Sequence, residues 1–263
     1  MKNEALELTW PAEGVAQITL TRGSEMNTLT HALLDGLEGA IVQLKGSGVR
    51  ALIITGSGRA FCCGAHLDYF IEDQLGRDAG FILRDTYLDR IARVFDSLEE
   101  QPYPVIAAIN GFALGGGGEL ALSCDFRIMS KTARIGLPEV KLGAIAGAGG
   151  VQKLVRHVGR TKALEWILLA SHVSAEEAER RGLLYAMTEP EALLQEALAL
   201  AERLKALSPR AIAQSKAAVY LSEDADLRSA RRFGLEALSL LIGSADWTEG
   251  IAAFHAKRPP KFG

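Results

Sequence analysis

Four consecutive glycines, Gly115 to Gly118, followed at once by Glu119, constrain this chain more than any other feature. Val105 to Ile109 ahead of them is a short apolar run, and ELALSC behind them resumes with helix formers, so the spacing predicts a strand, a glycine loop and a helix start. The window Pro104 to Cys124 has the length of a membrane span, but Asn110, Glu119 and the glycine cluster argue against one. Glycines at a helix start let backbone N–H groups approach a ligand closely, at the positive end of the helix dipole. Such a site favours negative charge. The charge is either a phosphate or a carbonyl oxygen that becomes anionic during reaction.

The nucleotide motifs fail on spacing. Gly56-Ser-Gly58 follows a strand, yet the third glycine of G-x-G-x-x-G falls on Phe61, and Gly147-Ala-Gly149 needs glycine where Gln152 stands. No G-x-x-x-x-G-K-[ST] occurs. Glu119 has apolar neighbours on both sides, where an unpaired charge is costly, so it is exposed, paired or functional. Twenty residues on, Glu139 follows Pro138 and leads into VKLGAIAGAGG, a second glycine-rich and nearly uncharged stretch. If both carboxylates face one apolar pocket, burial and mutual repulsion raise at least one pKa and give an acid and a base near neutral pH.

The elements around this stretch alternate. Val15 to Leu20 reads as a strand, THALLDGLEGAIVQLKG as a helix capped from Asn27 to Thr30, and Val49 to Thr55 as a buried strand delivering the loop GSGRAFCCGAH. Phe81 to Gln101 is expected to be one long amphipathic helix ending before Pro102. From Val151 helical signals dominate, and Pro190 to Leu207, Pro209 to Leu221, Asp226 to Ile242 and Asp246 to Ala256 read as four helices. The pattern divides into residues 1–195, an alternating β/α body, and residues 196–263, a helical C-terminal segment.

Composition excludes little but does so usefully. With 263 residues, 48% hydrophobic and 23% charged, the chain is expected to be folded and soluble around a sizeable core. A net charge of −3 gives no field that would gather nucleic acid or an anionic membrane. Cys62, Cys63 and Cys124 are an odd number without CxxC spacing, so neither a disulfide framework nor a zinc site is expected. The start, MKNEALELTW, lacks the marks of a secretory or transit segment, and a reducing cytoplasm fits best.

Several ordered stretches resemble the crotonase, or enoyl-CoA hydratase and isomerase, superfamily: FCCGAHL at 61–67, AAINGFALGGGGELALSCD at 107–125, ARIGLPEVKLGAIAGAGG at 133–150 and FHAKRPPKF at 254–262. The resemblance implies an α/β fold, a spiral of ββα units with a C-terminal helical region that forms trimers, commonly paired into hexamers. It implies an acyl-CoA thioester whose oxygen is held by the amides of Ala65 and Gly116. Both glutamates of the hydratase branch have matches in Glu119 and Glu139, which implies addition of water to a 2-enoyl-CoA, with Glu119 helping to deliver hydroxide to C3 and Glu139 protonating C2. Coenzyme A is then part of the substrate, and no separate cofactor or metal is implied. Phe254 and Lys257 match residues that contact the nucleotide end, often across a subunit boundary, and Met26 and Cys63 fall in loops along the CoA path.

Three residues depart from the family pattern. His66 stands where aspartate is usual, Asp68 where a basic residue is common, and Ala146 replaces a frequent proline. His66 adjoins a proposed oxyanion donor, so an isomerase, hydrolase or carbon–carbon lyase in which it acts as acid or base is the alternative; an RNA-binding member with little activity is a further one. The acyl pocket is expected to be shaped by Leu67 to Phe95, whose mixture of apolar and charged residues carries no clear chain-length message.

Overall fold

Strand Val105–Ile109 is buried along its whole length, as a parallel-sheet strand covered on both faces must be. The computed structural model describes residues 4–71 and 78–263. In chain order the strands are β1 (Leu6–Ala12), β2 (Val15–Leu20), β3 (Ala51–Gly56), β4 (Ala60–Cys62), β5 (Val105–Ile109), β6 (Phe112–Leu114), β7 (Phe126–Ser130), β8 (Arg134–Gly136), β9 (Val173–Ser174) and β10 (Ala186–Thr188). One sheet has the order β1-β2-β3-β5-β7-β10, parallel except for the β1–β2 hairpin. A second, smaller sheet has the order β4-β6-β8-β9.

From β3 to β8 consecutive strands alternate between the two sheets. β3 then β4, β5 then β6, and β7 then β8 each place one strand in the large sheet and the next in the small one, and then the chain continues into helices. These are the turns of an α/β spiral of ββα units. The register is set by neighbouring turns: Ile53 opposes Ile106 and Ile106 opposes Phe126 in the large sheet, while Cys62 opposes Ala113 and Ala113 opposes Ile135 in the small one. Asn110 closes the corner between sheets by accepting from the Gly56 amide at 3.0 Å and donating to the Ala60 carbonyl at 3.3 Å.

The helices are α1 (His31–Leu44), α2 (Ala79–Leu83), α3 (Asp89–Glu99), α4 (Gly116–Leu122), α5 (Gly150–Val158), α6 (Arg160–Leu168), α7 (Ala175–Arg180), α8 (Leu193–Lys205), α9 (Pro209–Asp224), α10 (Leu227–Leu241) and α11 (Ala245–His255). The long helix expected over 81–101 is instead α2 and α3 joined by a π-turn, Arg84–Leu88. The turn accommodates Tyr87, which is buried and hydrogen-bonded to two other segments.

Period-two alternation sorts the large sheet's side chains. Leu52, Ile54, Ala107 and Ile109 face the main core, whereas Ala51, Ile53, Ile106, Ala108 and Ile128 face a second cluster. That second face is covered by Leu193, Ala197, Leu200 and Ala201 of α8, at helical spacing i, i+4, i+7, i+8. Residue 195, where the sequence pattern changes character, therefore falls inside a helix that packs on the sheet, and the helices that leave the sheet begin at Pro209. Burying leucines such as Leu193 and Leu200 contributes about 1.5–3 kcal/mol each, which keeps α8 with the body. By contrast α9 buries no residue fully, α10 only Ala237 and α11 only Ala253. Leu227, Leu235, Leu240 and Phe254 remain exposed there. Among the described residues no helix is long and apolar enough to cross a membrane.

Candidate active site

The loop after β4 and the turn before α4 meet more closely than side chains would allow. A Cβ on Gly117 would lie 1.8 Å from the Cys62 carbonyl oxygen, so only glycine lets the two backbones touch. A Cβ on Gly116 would lie 2.7 Å from Leu29 Cδ1 and 3.6 Å from the Ala65 amide nitrogen. Ala65 and Gly116 are thus neighbours. Among the described residues neither of their amides donates a hydrogen bond.

Glu119 sits one turn into α4 and is 4% exposed. Its Oε1 accepts from the Ala148 amide at 2.8 Å and the Gly150 amide at 2.9 Å, both from the turn that opens α5. Burial pushes this carboxyl above the ordinary range, and the Gly150 and Ala148 amides together with the Lys153 charge pull it back.

Glu139 follows Pro138 at the start of a short 3-10 turn, Glu139–Leu142. Its carboxylate lies against the glycine run, with Oε1 3.2 Å from the position a Cβ on Gly115 would take. Its Oε2 is buried without a hydrogen-bond partner among the described residues. Burial raises its pKa to about 7; its own amide lowers it and the charge of Glu119 raises it further. Two carboxylates thus share one region with contrasting surroundings, one held by amides and one left unpartnered.

Met26 and Cys63 are adjacent, with the Cys63 amide donating to the Met26 carbonyl at 3.0 Å. Asn27 secures that corner by donating to Ser57 O at 3.0 Å and Ala60 O at 2.8 Å. His66 Nδ1 meets Thr28 Oγ1 at 3.0 Å, its Nε2 lies 3.5 Å from Asp68 Oδ2, and its ring packs edge-on to Tyr69. Phe254, 78% exposed, stands on α11 with Lys257 just beyond it. Of the segment 67–95 expected to shape an acyl pocket, residues 72–77 lie outside the described residues.

Two contributors escape sequence reasoning. The Ala148 and Gly150 amides hold Glu119, and only the glycine-rich, uncharged character of 143–150 hints at them. Tyr87 is the other: its hydroxyl accepts from the His66 amide at 2.9 Å and donates to the Leu29 carbonyl, bracketing Ala65. A tyrosine within the charged run Arg84 to Arg90 gives no such signal.

The enoyl-CoA hydratase/isomerase family profile matches residues 11–263. The chain belongs to that family. It is similar to a protein of Rhizobium meliloti (strain 1021) named as a probable enoyl-CoA hydratase, 40% identical over 249 residues and covering 94% of each chain. It is also similar to the short-chain-enoyl-CoA hydratase of Clostridium acetobutylicum, 37% identical over 248 residues, covering 93% of this chain and 92% of that one. The crystal structure of an enoyl-CoA hydratase from Bacillus anthracis superposes with a TM-score of 0.90 at 35% identity, covering 98% of this chain and 99% of that one. These likenesses place the chain in the hydratase branch of the crotonase superfamily, and the spiral described above is that superfamily's fold.

Proposed function

We propose that the protein is an enoyl-CoA hydratase, a hydro-lyase adding water in syn fashion to a 2-enoyl-CoA. The observation that carries this reading is the pair of carboxylates in unlike environments beside two free amides. Glu119, stabilised as an anion by two amide donors, takes a proton from water as the oxygen bonds to C3 of the substrate. The π electrons move toward the thioester oxygen, which the Ala65 and Gly116 amides receive as it becomes an enolate. Each such donor lowers the barrier by about 3–4 kcal/mol. Glu139, with its pKa near 7, is partly protonated at neutral pH and gives its proton to C2, collapsing the enolate. Exchange with solvent resets the two carboxyls.

Met26 and Cys63 would line the CoA path, with Phe254 and Lys257 meeting the nucleotide end from a neighbouring subunit. The exposed apolar residues of α10 and α11 support a homotrimer or a hexamer of two trimers. The ring of His66 is engaged with Thr28, which supports a part in holding the oxyanion loop over one as acid or base.

Hydration of crotonyl-CoA by wild type, Glu119→Gln and Glu139→Gln tests the assignment. A fall of about 10²-fold or more in each variant is expected; undiminished turnover in both would sink it. A large loss in His66→Ala with hydration absent throughout would favour an isomerase, hydrolase or lyase instead.

A further inference from the structure

Lys153 stands one turn into α5, just after the two amides that hold the Glu119 carboxylate. Its Nζ donates to Ser123 Oγ at 2.7 Å, and Ser123 Oγ donates to the Glu119 carbonyl at 2.9 Å. α4 and α5 are therefore tied twice around one residue: by the Glu119 side chain at the start of α5, and by Ser123 and Lys153 a turn further along. The Lys153 side chain is 13% exposed, and its ammonium is answered by Glu99 Oε1 at 2.6 Å and Asp96 Oδ1 at 3.8 Å, both on α3.

Lys153 and Glu99 border a cavity of about 340 Å³ whose walls also include Leu122, Cys124 and Tyr220 and contain none of Glu119, Glu139, Ala65 and Gly116.

We propose that Lys153 is a positioning residue for Glu119, fixing the carboxylate-binding turn of α5 against α4 and favouring the ionised carboxylate, with Glu99 tempering its charge. The catalytic part of this rests on the reading of Glu119 as the base. The charges around the pair are few. Glu119 is faced by Glu139 and Lys153; Lys153 by Glu99, Asp96, the Cys124 thiol and, on its own helix, His157; and Glu223 of α9 lies beyond Glu99.

Charge and mere packing make different predictions. Removing the cation in Lys153→Met disfavours the Glu119 anion, whereas removing the neighbouring carboxylate in Glu99→Gln favours it. Titration of the Glu119 carboxyl by carbon-13 NMR in the full chain, assigned through Glu119→Gln, reads this without any turnover. The midpoint is expected to rise in Lys153→Met, to stay near wild type in Lys153→Arg, and to fall in Glu99→Gln. Unchanged midpoints, or shifts of the same sign in Lys153→Met and Glu99→Gln, overturn the proposal. Should Lys153→Met not fold, the fall in Glu99→Gln still decides. Kinetics add a second readout: kcat for crotonyl-CoA is expected to drop about three- to tenfold in Lys153→Met with KM little changed. A wild-type enzyme that does not hydrate overturns the functional reading alone, since the titration stands without it.

Discussion

Glu119 and Gly150 occupy each other's space. The Gly150 amide donates to Glu119 Oε1 at 2.9 Å, and a Cβ on Gly150 would lie 2.6 Å from Glu119 Cγ. The contact that orients the carboxylate therefore depends on a missing side chain. Gly150→Ala is expected to swing Glu119 out of line and lower kcat about 10²-fold, with a stability loss of about 1–3 kcal/mol. Steady-state kinetics beside a urea melt measures both, and full activity in a folded variant would show that the carboxylate tolerates another orientation.

Glu139 gives the enzyme a pH limit. Its carboxyl is raised from an ordinary 4.5 to about 7, so if Glu139 is the acid at C2, as proposed, its acid form is lost as pH rises through about 7 and the hydration rate should fall there. Stability follows the same sign. Below 4.5 the group is protonated whether the chain is folded or unfolded and costs nothing; between 4.5 and about 7 the unfolded form ionises first, and folding weakens. Glu139→Gln should therefore melt close to wild type at pH 4 and above it at pH 8. A variant that melts below wild type at pH 8 contradicts this assignment.

Much of this was legible in the chain. Whereas β1, β7 and β10 do not read as strands, the central strands β3 and β5 announce themselves because both of their faces are buried and their sequences, ALIITG and VIAAI, are nearly continuous apolar runs. The small sheet does not: β4, β6 and β8 have three residues each, too few to carry a period, and β4 lies within the segment read as the loop GSGRAFCCGAH. Glu119 stands out through its apolar neighbours. Its partners at Ala148 and Gly150 do not, since a backbone amide leaves no trace in side-chain identity. The π-turn at Tyr87 interrupts a helical pattern that the spacing of Phe81, Leu88 and Phe95 does not reveal.

Tyr87→Phe deletes one oxygen and leaves two backbone groups, the His66 N–H and the Leu29 carbonyl, without their shared partner. A loss of about 1–3 kcal/mol is expected. Because Ala65 directly precedes His66 and pairs with Leu29 across a parallel bridge, kcat should fall on the proposed reading while KM for crotonyl-CoA changes little. Chemical denaturation with kinetics on the same preparation tests it, and equal loss in kcat and gain in KM would point to substrate binding instead.

Lys216 anchors α9 to the body by donating to Asp125 Oδ2 at 2.8 Å, Leu98 O at 3.1 Å and Tyr103 O at 3.2 Å. The two charged side chains are only 9% and 12% exposed. Lys216→Met leaves the buried Asp125 carboxylate without a counter-charge, held only by the Val105 amide and the Tyr220 hydroxyl, and is expected to cost about 3–5 kcal/mol. A urea midpoint that drops with an unchanged slope would report that loss, whereas an unshifted midpoint would mean the carboxyl is neutralised or hydrated without its lysine.

The alternation of strands between two sheets has a consequence for how the chain acquires its chemistry. Ala65 and Gly116 come from different turns of the spiral, fifty-one positions apart (116 − 65 = 51), and the pairing of Cys62 with Ala113 in the small sheet holds their segments together. Helices close within microseconds, while parallel pairings between distant segments wait on loop closure and form more slowly. During refolding the helical signal should thus return ahead of hydration activity, and the intervening species would have most of its secondary structure while Ala65 and Gly116, the proposed oxyanion donors, were still apart.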